Sequence, residues 1–261
     1  MGTMRRGGSR ISWRYGWLVL LFLTLPLQAK QVLFAAMDDW PPFIIAKHSV
    51  ASNSGFDGID WELLQELTAR TGIEIYPIPY PFARGLKEVE AGRIDIITSV
   101  VKTTERSKYM GFLQTPYYHC QTAFYAQPEM AAQIKSYDDL YGKRIGYTLG
   151  SSYFEPFDSD KKLLKKPTLN ENKLPFMLLK RNEQLFVGTD CQMDYALKEQ
   201  GLLGQIVPTF YRPNNPVELY IGYSKAAGIE AEAALLEKAL KEMVAEGWVD
   251  KLADSYFKQQ N

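Results

Sequence analysis

The sequence is poor in cysteine and histidine, and neither sign of charge is in excess. Two cysteines and two histidines among 261 residues are too few for a disulfide-built scaffold or a cysteine-only zinc site. Thirty basic and thirty acidic side chains give a formal net charge of +0, so no nucleic-acid-binding surface is indicated. The hydrophobic content of 46% is that of a globular protein, long enough for one large domain or two small ones.

The apolar run near the N-terminus is also short. It covers residues 15–27, fewer than the roughly 20 residues that a membrane-spanning helix needs. Four arginines and no acid precede it, and the small residue Ala29 follows. This pattern predicts a secretory signal peptide over residues 1–29, with an uncleaved membrane anchor as the alternative. We therefore expect a mildly acidic mature protein in the periplasm.

The rest of the chain alternates between short apolar runs and amphipathic stretches. The strands are predicted at 32–37, 73–78, 94–98, 121–126, 144–148, 184–189 and 217–223. The helices are predicted at 60–70, with Asp60 as the N-cap, and at 84–91, 229–245 and 248–257. The Lys-rich segment 159–173 is expected to be a surface loop. Such alternation predicts an α/β fold with parallel sheets covered on both faces.

Five segments form an ordered set of motifs. They are DDWPPF (38–43), GFDGIDWELLQEL (55–67), EAGRIDIITSVVKTTERSKYMGFLQTPYY (90–118), GKRIGYTLGSS (142–152) and ALKEMVAEGWVDKLADSYF (239–257). Together they resemble the periplasmic solute-binding proteins of polar amino-acid ABC importers, bacterial family 3. The resemblance implies a two-lobed type II periplasmic-binding-protein fold, with mixed, mostly parallel sheets flanked by helices. Two hinge strands, near 118–121 and 217–220, would join lobe 1 (30–119 plus 220–261) to lobe 2 (120–219).

The resemblance also assigns residues of the first lobe to a ligand site. Arg106 stands where the family places the arginine that binds the ligand carboxylate, and its planar guanidinium can donate two parallel hydrogen bonds. A surface position at a helix start is the alternative. Trp40 and Phe82 stand where the family has the aromatic walls of the cleft, with core packing as the alternative. Asp38 or Asp39 would meet a cationic group of the ligand.

One position of the first lobe departs from the family pattern. Val101 replaces a hydroxyl-bearing or small residue that usually precedes the arginine, and a valine cannot donate a hydrogen bond to a carboxylate. Thr98 or Ser99 is expected to compensate.

In the second lobe, the resemblance places two further contacts. Thr148, Ser151 and Ser152 match the family's second anion contact at a strand-to-helix turn, where backbone N–H groups favour a negative group. A simple capped turn is the alternative. Where the family carries the aspartate that pairs with the ligand ammonium, this chain has Thr189 and Asp190, and Asp190 is the favoured of the two.

The two cysteines are expected to pair. After export the setting is oxidising, and the resemblance brings Cys120 and Cys191 near the hinge side of the second lobe. Burial as apolar residues is one alternative, and a metal site with His119 is a weaker one. No metal and no cofactor is expected.

The predicted function is binding of a small polar solute for delivery to an inner-membrane ABC importer, by a monomer that binds no nucleic acid. A periplasmic dehydratase-like enzyme is one alternative, with Asp38, Asp39, Asp190 and His119 as the candidate general bases. No GxSxG or HExxH motif is present, and we predict no enzymatic activity. A sensor that signals to a membrane partner is the other alternative.

Overall fold

A computed structural model describes residues 1–3, 32–47, 55–180 and 183–258. The predicted signal peptide and its cleavage site at Ala29 therefore lie outside the described residues, apart from the first three positions. Within the described ranges, none of the helices combines the length and the hydropathy of a membrane span.

The described residues form an α/β structure with the elements in alternating order. The strands are β1 (Val32–Met37), β2 (Ile45–Ala46), β3 (Phe56–Asp57), β4 (Glu74–Pro79), β5 (Ile96–Val100), β6 (Met110–Phe112), β7 (Tyr118–Ala126), β8 (Arg144–Thr148), β9 (Leu164–Thr168), β10 (Leu185–Thr189), β11 (Val207–Pro208) and β12 (Pro216–Ser224). The helices are α1 (Ile59–Thr71), α2 (Phe82–Glu90), α3 (Pro128–Ala131), α4 (Leu174–Leu179), α5 (Asp190–Glu199), α6 (Glu230–Ala245) and α7 (Trp248–Lys258).

Eight of the twelve strands form one continuous path with the order β4-β1-β5-β12-β7-β10-β8-β9, while β6 pairs with β12, β11 pairs with β7, and β2 and β3 form a separate pair. Both outer parts of this path are parallel, as predicted, whereas β12 pairs antiparallel with β5 and β7 at its centre. β7 and β12 are the long strands that join the two parts, with Tyr118 opposite Leu219 and Gln121 opposite Pro216. This pairing lies at the positions expected for the hinge strands, and the result is the two-lobed type II fold.

Buried apolar residues form separate clusters on the two sides of β7 and β12. On one side, a large cluster packs β1 and β4 against α1, α6 and α7, and a smaller one packs β5 against α2. On the other side, one cluster centres on Phe124 and Phe157 and another packs Phe186 against α4 and α5. We call these sides the first and the second lobe. Their division at residues 119/120 and 219/220 stays a prediction.

The prediction of Asp60 as an N-cap is wrong. α1 begins at Ile59 after Gly58, whose φ of 102° places it in the left-handed region, and Asp60 lies fully buried in the first turn. A Cβ at Gly58 would lie only 2.6 Å from the carbonyl oxygen of Phe43, so the chain can turn into the helix there only with glycine. Asp60 instead accepts hydrogen bonds from Tyr117 Oη (2.9 Å) and Ser99 Oγ (2.7 Å).

The prediction of a surface loop over 159–173 is also wrong. Residues Leu164–Thr168 form β9, which pairs in parallel with β8 at the edge of the second lobe. Lysines and a proline are typical of an edge strand, and they hide the apolar alternation that marks a central strand. Directly after β9 the chain turns inward and buries Glu171. The other predicted strands and helices are confirmed, with ends shifted by three residues at most.

Candidate functional site

A cavity of about 80 Å³ lies between the two lobes. Nine of the ten predicted ligand-binding residues line it: Asp38, Trp40, Phe82, Thr98, Ser99, Arg106, Thr148, Ser151 and Ser152. Asp39, Glu171 and Thr189 line it as well. The volume suits a small solute held between the lobes rather than a peptide.

Arg106 is the central cation of this cavity. It lies in a short helical turn after β5 and is only 5% exposed. Its Nη1 donates to the carbonyl of Val101 (2.6 Å) and its Nη2 to the carbonyl of Gly150 (2.8 Å), while the guanidinium carbon lies 5.6 Å from the ring centre of Phe82. Burial lowers the pKa of Arg106 to about 10. Among the described residues it forms no ion pair, so its positive charge is buried without an anion.

Trp40 and Phe82 form the expected aromatic walls. Trp40 follows β1 and stacks on Phe43 at 4.8 Å, and its indole Nε1 donates to Glu171 Oε2 (3.0 Å) across the cleft. Phe82 begins α2, and its backbone N–H donates to Asp38 Oδ2 (2.8 Å). Asp38 Oδ1 accepts a second bond from the Asp39 N–H (2.9 Å). Burial raises the pKa of Asp38, and these two bonds oppose that shift.

Ser99 is engaged by a buried hydrogen-bond network of the first lobe. Its hydroxyl donates to Asp60 Oδ2, and its backbone N–H donates to Tyr117 Oη (2.8 Å). These bonds hold Ser99 at a φ of 51°, in the left-handed region that only a few non-glycine residues adopt. Thr98 and Ser99 both line the cavity, and compensation for Val101 by either of them stays a prediction.

The strand-to-helix turn expected at 148–152 is not formed. No helix directly follows β8. The chain turns at Gly150 (φ 87°) and continues without a helix or strand to Pro156. The residue before a proline is biased away from the helical region, which opposes a helix here. Ser152 Oγ donates its hydroxyl hydrogen to Asp158 (2.8 Å), so that donor already has a partner within the protein. Thr148 and Ser151 still line the cavity, without a helix N-terminus behind them.

Asp190 lies outside the cavity lining. Asp190 is the first residue of α5. Its Oδ1 accepts hydrogen bonds from the backbone N–H groups of Gln121 (2.8 Å) and Cys191 (2.7 Å). Thr189, the last residue of β10, faces the cavity instead. The carboxylate that the second lobe does bring to the cavity is Glu171, which sequence reasoning missed. The Lys-rich stretch 159–173 contains two acids, Asp160 and Glu171, and its composition gives no signal that one of them is buried.

The predicted disulfide is confirmed. Cys120 and Cys191 are bonded, with their Cα atoms 5.7 Å apart, and they tie β7 to the start of α5. The carboxylate of Asp190 lies within 4.8 Å of both sulfurs. Because the sulfurs are bonded to each other, they do not provide the thiolates that a metal site with His119 would require.

Two lobes joined by a pair of hinge strands, with a buried and unpaired arginine in the cavity between them, define a solute-binding protein. The chain belongs to the bacterial extracellular solute-binding proteins, family 3, whose family model matches residues 32–259.

Known relatives agree with this assignment. The chain is 24% identical over 212 residues to a probable histidine-binding protein of Campylobacter jejuni, covering 78% of each chain. It is also 24% identical over 221 residues to the L-cystine-binding protein TcyJ of Escherichia coli, covering 84% of this chain and 79% of that one. The fold resembles that of AbpA, an amino acid ABC transporter substrate-binding protein from Streptococcus pneumoniae bound to L-arginine. The TM-score is 0.77 at 22% identity, covering 88% of this chain and 96% of that one.

Proposed function

We propose that the protein binds an amino acid, or a close relative with one carboxylate and one ammonium group, and delivers it to an ABC importer of the inner membrane. It would do so as a monomer in the periplasm, after removal of the signal peptide. Membership of the family and the names of its relatives support the class of function. Of the four candidate bases for catalysis, Asp38 and Asp39 line the cavity and His119 and Asp190 do not.

The observation that carries the proposal is the buried guanidinium of Arg106. Two of its five N–H donors go to backbone carbonyls, and the other three have no partner among the described residues. A buried charge without a counter-ion is costly, and an incoming carboxylate would offset that cost. Since Val101 offers no hydroxyl, recognition of the carboxylate depends on Arg106 more than on its neighbours.

Contacts between the lobes support binding by closure. Besides Trp40 to Glu171, the side-chain amide of Asn172 donates to Asp39 at its carbonyl (3.2 Å) and at Oδ2 (3.1 Å), and Arg106 reaches Gly150. These hydrogen bonds connect the first lobe to the second around the cavity. A solute would therefore enter when the two lobes separate about β7 and β12, and closing would remove it from water.

The test is calorimetric titration of wild type and Arg106 variants with whichever amino acid raises the unfolding temperature most in a thermal-shift panel. Arg106→Ala should weaken binding by roughly 2–5 kcal/mol, at least thirtyfold, because the carboxylate loses its partner. Arg106→Lys should also lose much of the affinity, since a point charge does not reproduce the planar fork.

Arg84→Lys is the matched control, because Arg84 lies exposed on α2 and pairs with Glu88 outside the cavity. It should bind as wild type does. Affinity of folded Arg106→Ala within threefold of wild type would contradict the proposed function.

A further inference from the structure

The Lys-rich segment 161–180 contributes Glu171 to the cavity between the lobes and none of its basic side chains. It contains six lysines and no acid besides Glu171, whereas the chain as a whole has equal numbers of basic and acidic residues. Glu171 is buried, and five of the six lysines are exposed. The segment therefore gives the outer surface of the second lobe a local excess of positive charge.

Within this segment, β9 divides its side chains between the two faces of the sheet. Lys165 lies on one face, where its Nζ donates to the backbone carbonyl of Phe157 (2.8 Å). Lys166 is the neighbour of Gly146 in β8, and Gly146 packs against α4 on the opposite face. Because side chains alternate along a strand, Leu164 shares that face with Lys166. Both lie beside α4 at the free edge of the sheet.

The outer side of α4 continues this surface. Lys173, Phe176 and Lys180 are spaced by three and four residues, so they share one side of the helical turns that run from 173 to 180. Three large apolar side chains are exposed to solvent here, Leu164 by 49%, Leu169 by 57% and Phe176 by 50%. These side chains and the neighbouring lysines form what we call the basic-apolar patch: Leu164, Lys166, Leu169, Lys173, Phe176 and Lys180.

The three lysines of the patch form no ion pair with a described residue, whereas exposed lysines such as Lys87, Lys108 and Lys258 each pair with a neighbouring acid. Their charges are therefore available to an external anion. Lysine binds phosphate as a mobile point charge rather than in a fixed geometry. Apolar side chains interleaved with lysines suit a bilayer surface, since the apolar groups enter among the headgroups while the ammonium groups stay at the phosphates.

We propose that the basic-apolar patch binds the surface of an anionic phospholipid bilayer. Binding would keep the second lobe and its solute close to the membrane that holds the importer. The inference goes beyond the proposed function and is independent of the identity of the solute. A second copy of the chain fits the patch less well, because equal positive charges would meet and Pro167 has no N–H to extend the edge of β9.

Co-sedimentation with vesicles measures this binding. The exported protein, purified from the periplasm of a bacterial host, is mixed with vesicles of phosphatidylcholine alone or of equal parts phosphatidylcholine and phosphatidylglycerol, at about 0.02 M and about 0.3 M salt. The patch variant, Lys166→Gln/Lys173→Gln/Lys180→Gln, removes three positive charges. Fluorescently labelled poly-L-glutamate is the probe for an acidic polypeptide, and light scattering of the protein alone measures its oligomeric state.

Two further variants separate the patch from charge in general. The charge-matched control is Lys238→Gln/Lys241→Gln/Lys251→Gln, which removes three exposed lysines from α6 and α7 of the first lobe. Leu164→Thr/Phe176→Gln keeps every charge and removes two apolar side chains of the patch. All of these side chains are exposed, so the unfolding temperatures should stay close to that of wild type.

Wild type and the control variant should bind the anionic vesicles at least about tenfold more tightly than the neutral ones, and the higher salt concentration should weaken this binding. The patch variant should lose at least about tenfold in affinity for the anionic vesicles, and the apolar variant about threefold or more.

Equal or absent sedimentation of wild type with the two kinds of vesicle, or equal losses in the patch and control variants, would overturn the inference. Binding of poly-L-glutamate without binding of anionic vesicles would assign the patch to an acidic polypeptide instead. A dimer of wild type that the patch variant does not form would assign it to a second copy of the chain, and either result would overturn the inference too.

Discussion

The two lobes present different chemistry to the cavity. The first lobe contributes a buried cation, Arg106, the aromatic walls Trp40 and Phe82, and the carboxylates of Asp38 and Asp39. The second lobe contributes hydroxyl groups and the carboxylate of Glu171, and none of its described residues brings a cation to the cavity lining. The positive charge of the cavity therefore comes from one lobe, whereas acidic groups come from both.

The lobes also differ in how they hold these groups. In the first lobe, the end of β5 is fixed by the buried network of Asp60, Ser99 and Tyr117. In the second lobe, Glu171 lies on a short turn, and its bond to Trp40 forms only when the lobes meet. We therefore expect the surroundings of Arg106 to keep their arrangement when the lobes separate, and those of Glu171 to change.

The largest expected effect is that of removing the disulfide, which ties β7 to the start of α5. Loss of the disulfide in a Cys120→Ala/Cys191→Ala variant should lower the free energy of unfolding by about 4 kcal/mol, because the bond joins residues 71 positions apart. Urea unfolding of the variant and of oxidised wild type measures this. Equal midpoints and slopes of the two unfolding curves would show that the disulfide does not contribute to the stability of the folded protein.

The second prediction concerns the cost of the Glu171 charge in the closed conformation. Its pKa is raised to about 7 in the folded state, so folding stability is lost as pH rises from the unfolded-state value of 4.5 through 7. Glu171→Gln removes that loss. The difference in unfolding free energy between variant and wild type should shift in favour of the variant by about 3 kcal/mol between pH 4 and pH 8. A difference that does not change with pH would mean that the carboxyl group is not desolvated.

The third prediction concerns the first-lobe network. Tyr117→Phe removes one of the two hydrogen bonds that Asp60 accepts and leaves the Ser99 N–H without its partner, so it should cost about 1–3 kcal/mol of stability. Because Tyr117 does not line the cavity, solute affinity should stay close to that of wild type. Thermal unfolding and calorimetry on the same samples check both statements. A large loss of affinity at unchanged stability would show that the network and the cavity are not separate.

The smallest expected effect is on the contact between the lobes. Trp40→Phe keeps an aromatic wall and removes the hydrogen bond to Glu171, so affinity should fall by about 1 kcal/mol, or fivefold. Small-angle scattering with saturating solute should still show compaction. A variant that binds tighter than wild type would indicate that Trp40 competes with the solute for Glu171.

The parts of the fold that the sequence predicts best are strands with clear boundaries. β1 and β8 were predicted with their observed ends, since VLFAAM and RIGYT are bounded by polar residues or turns. β9 was missed because LKKPT is an edge strand whose exposed lysines are as acceptable there as in a loop.

The same contrast applies to the site. Arg106 could be predicted because a strand end and a motif within one stretch of chain define its position. Glu171 could not, because its role depends on contact with Trp40, 131 positions away on the other lobe. The sequence also does not decide whether Thr189 or Asp190 faces the cavity. The two residues are adjacent at the start of α5, so a helix that began one residue later would exchange their orientations.

A crystal structure of the protein with its bound amino acid is the sharpest test, because it shows which group of the solute lies at Arg106. We expect the solute carboxylate within about 3 Å of the Arg106 guanidinium. A carboxylate bound elsewhere in the cavity, with no contact to Arg106, would contradict the proposed function.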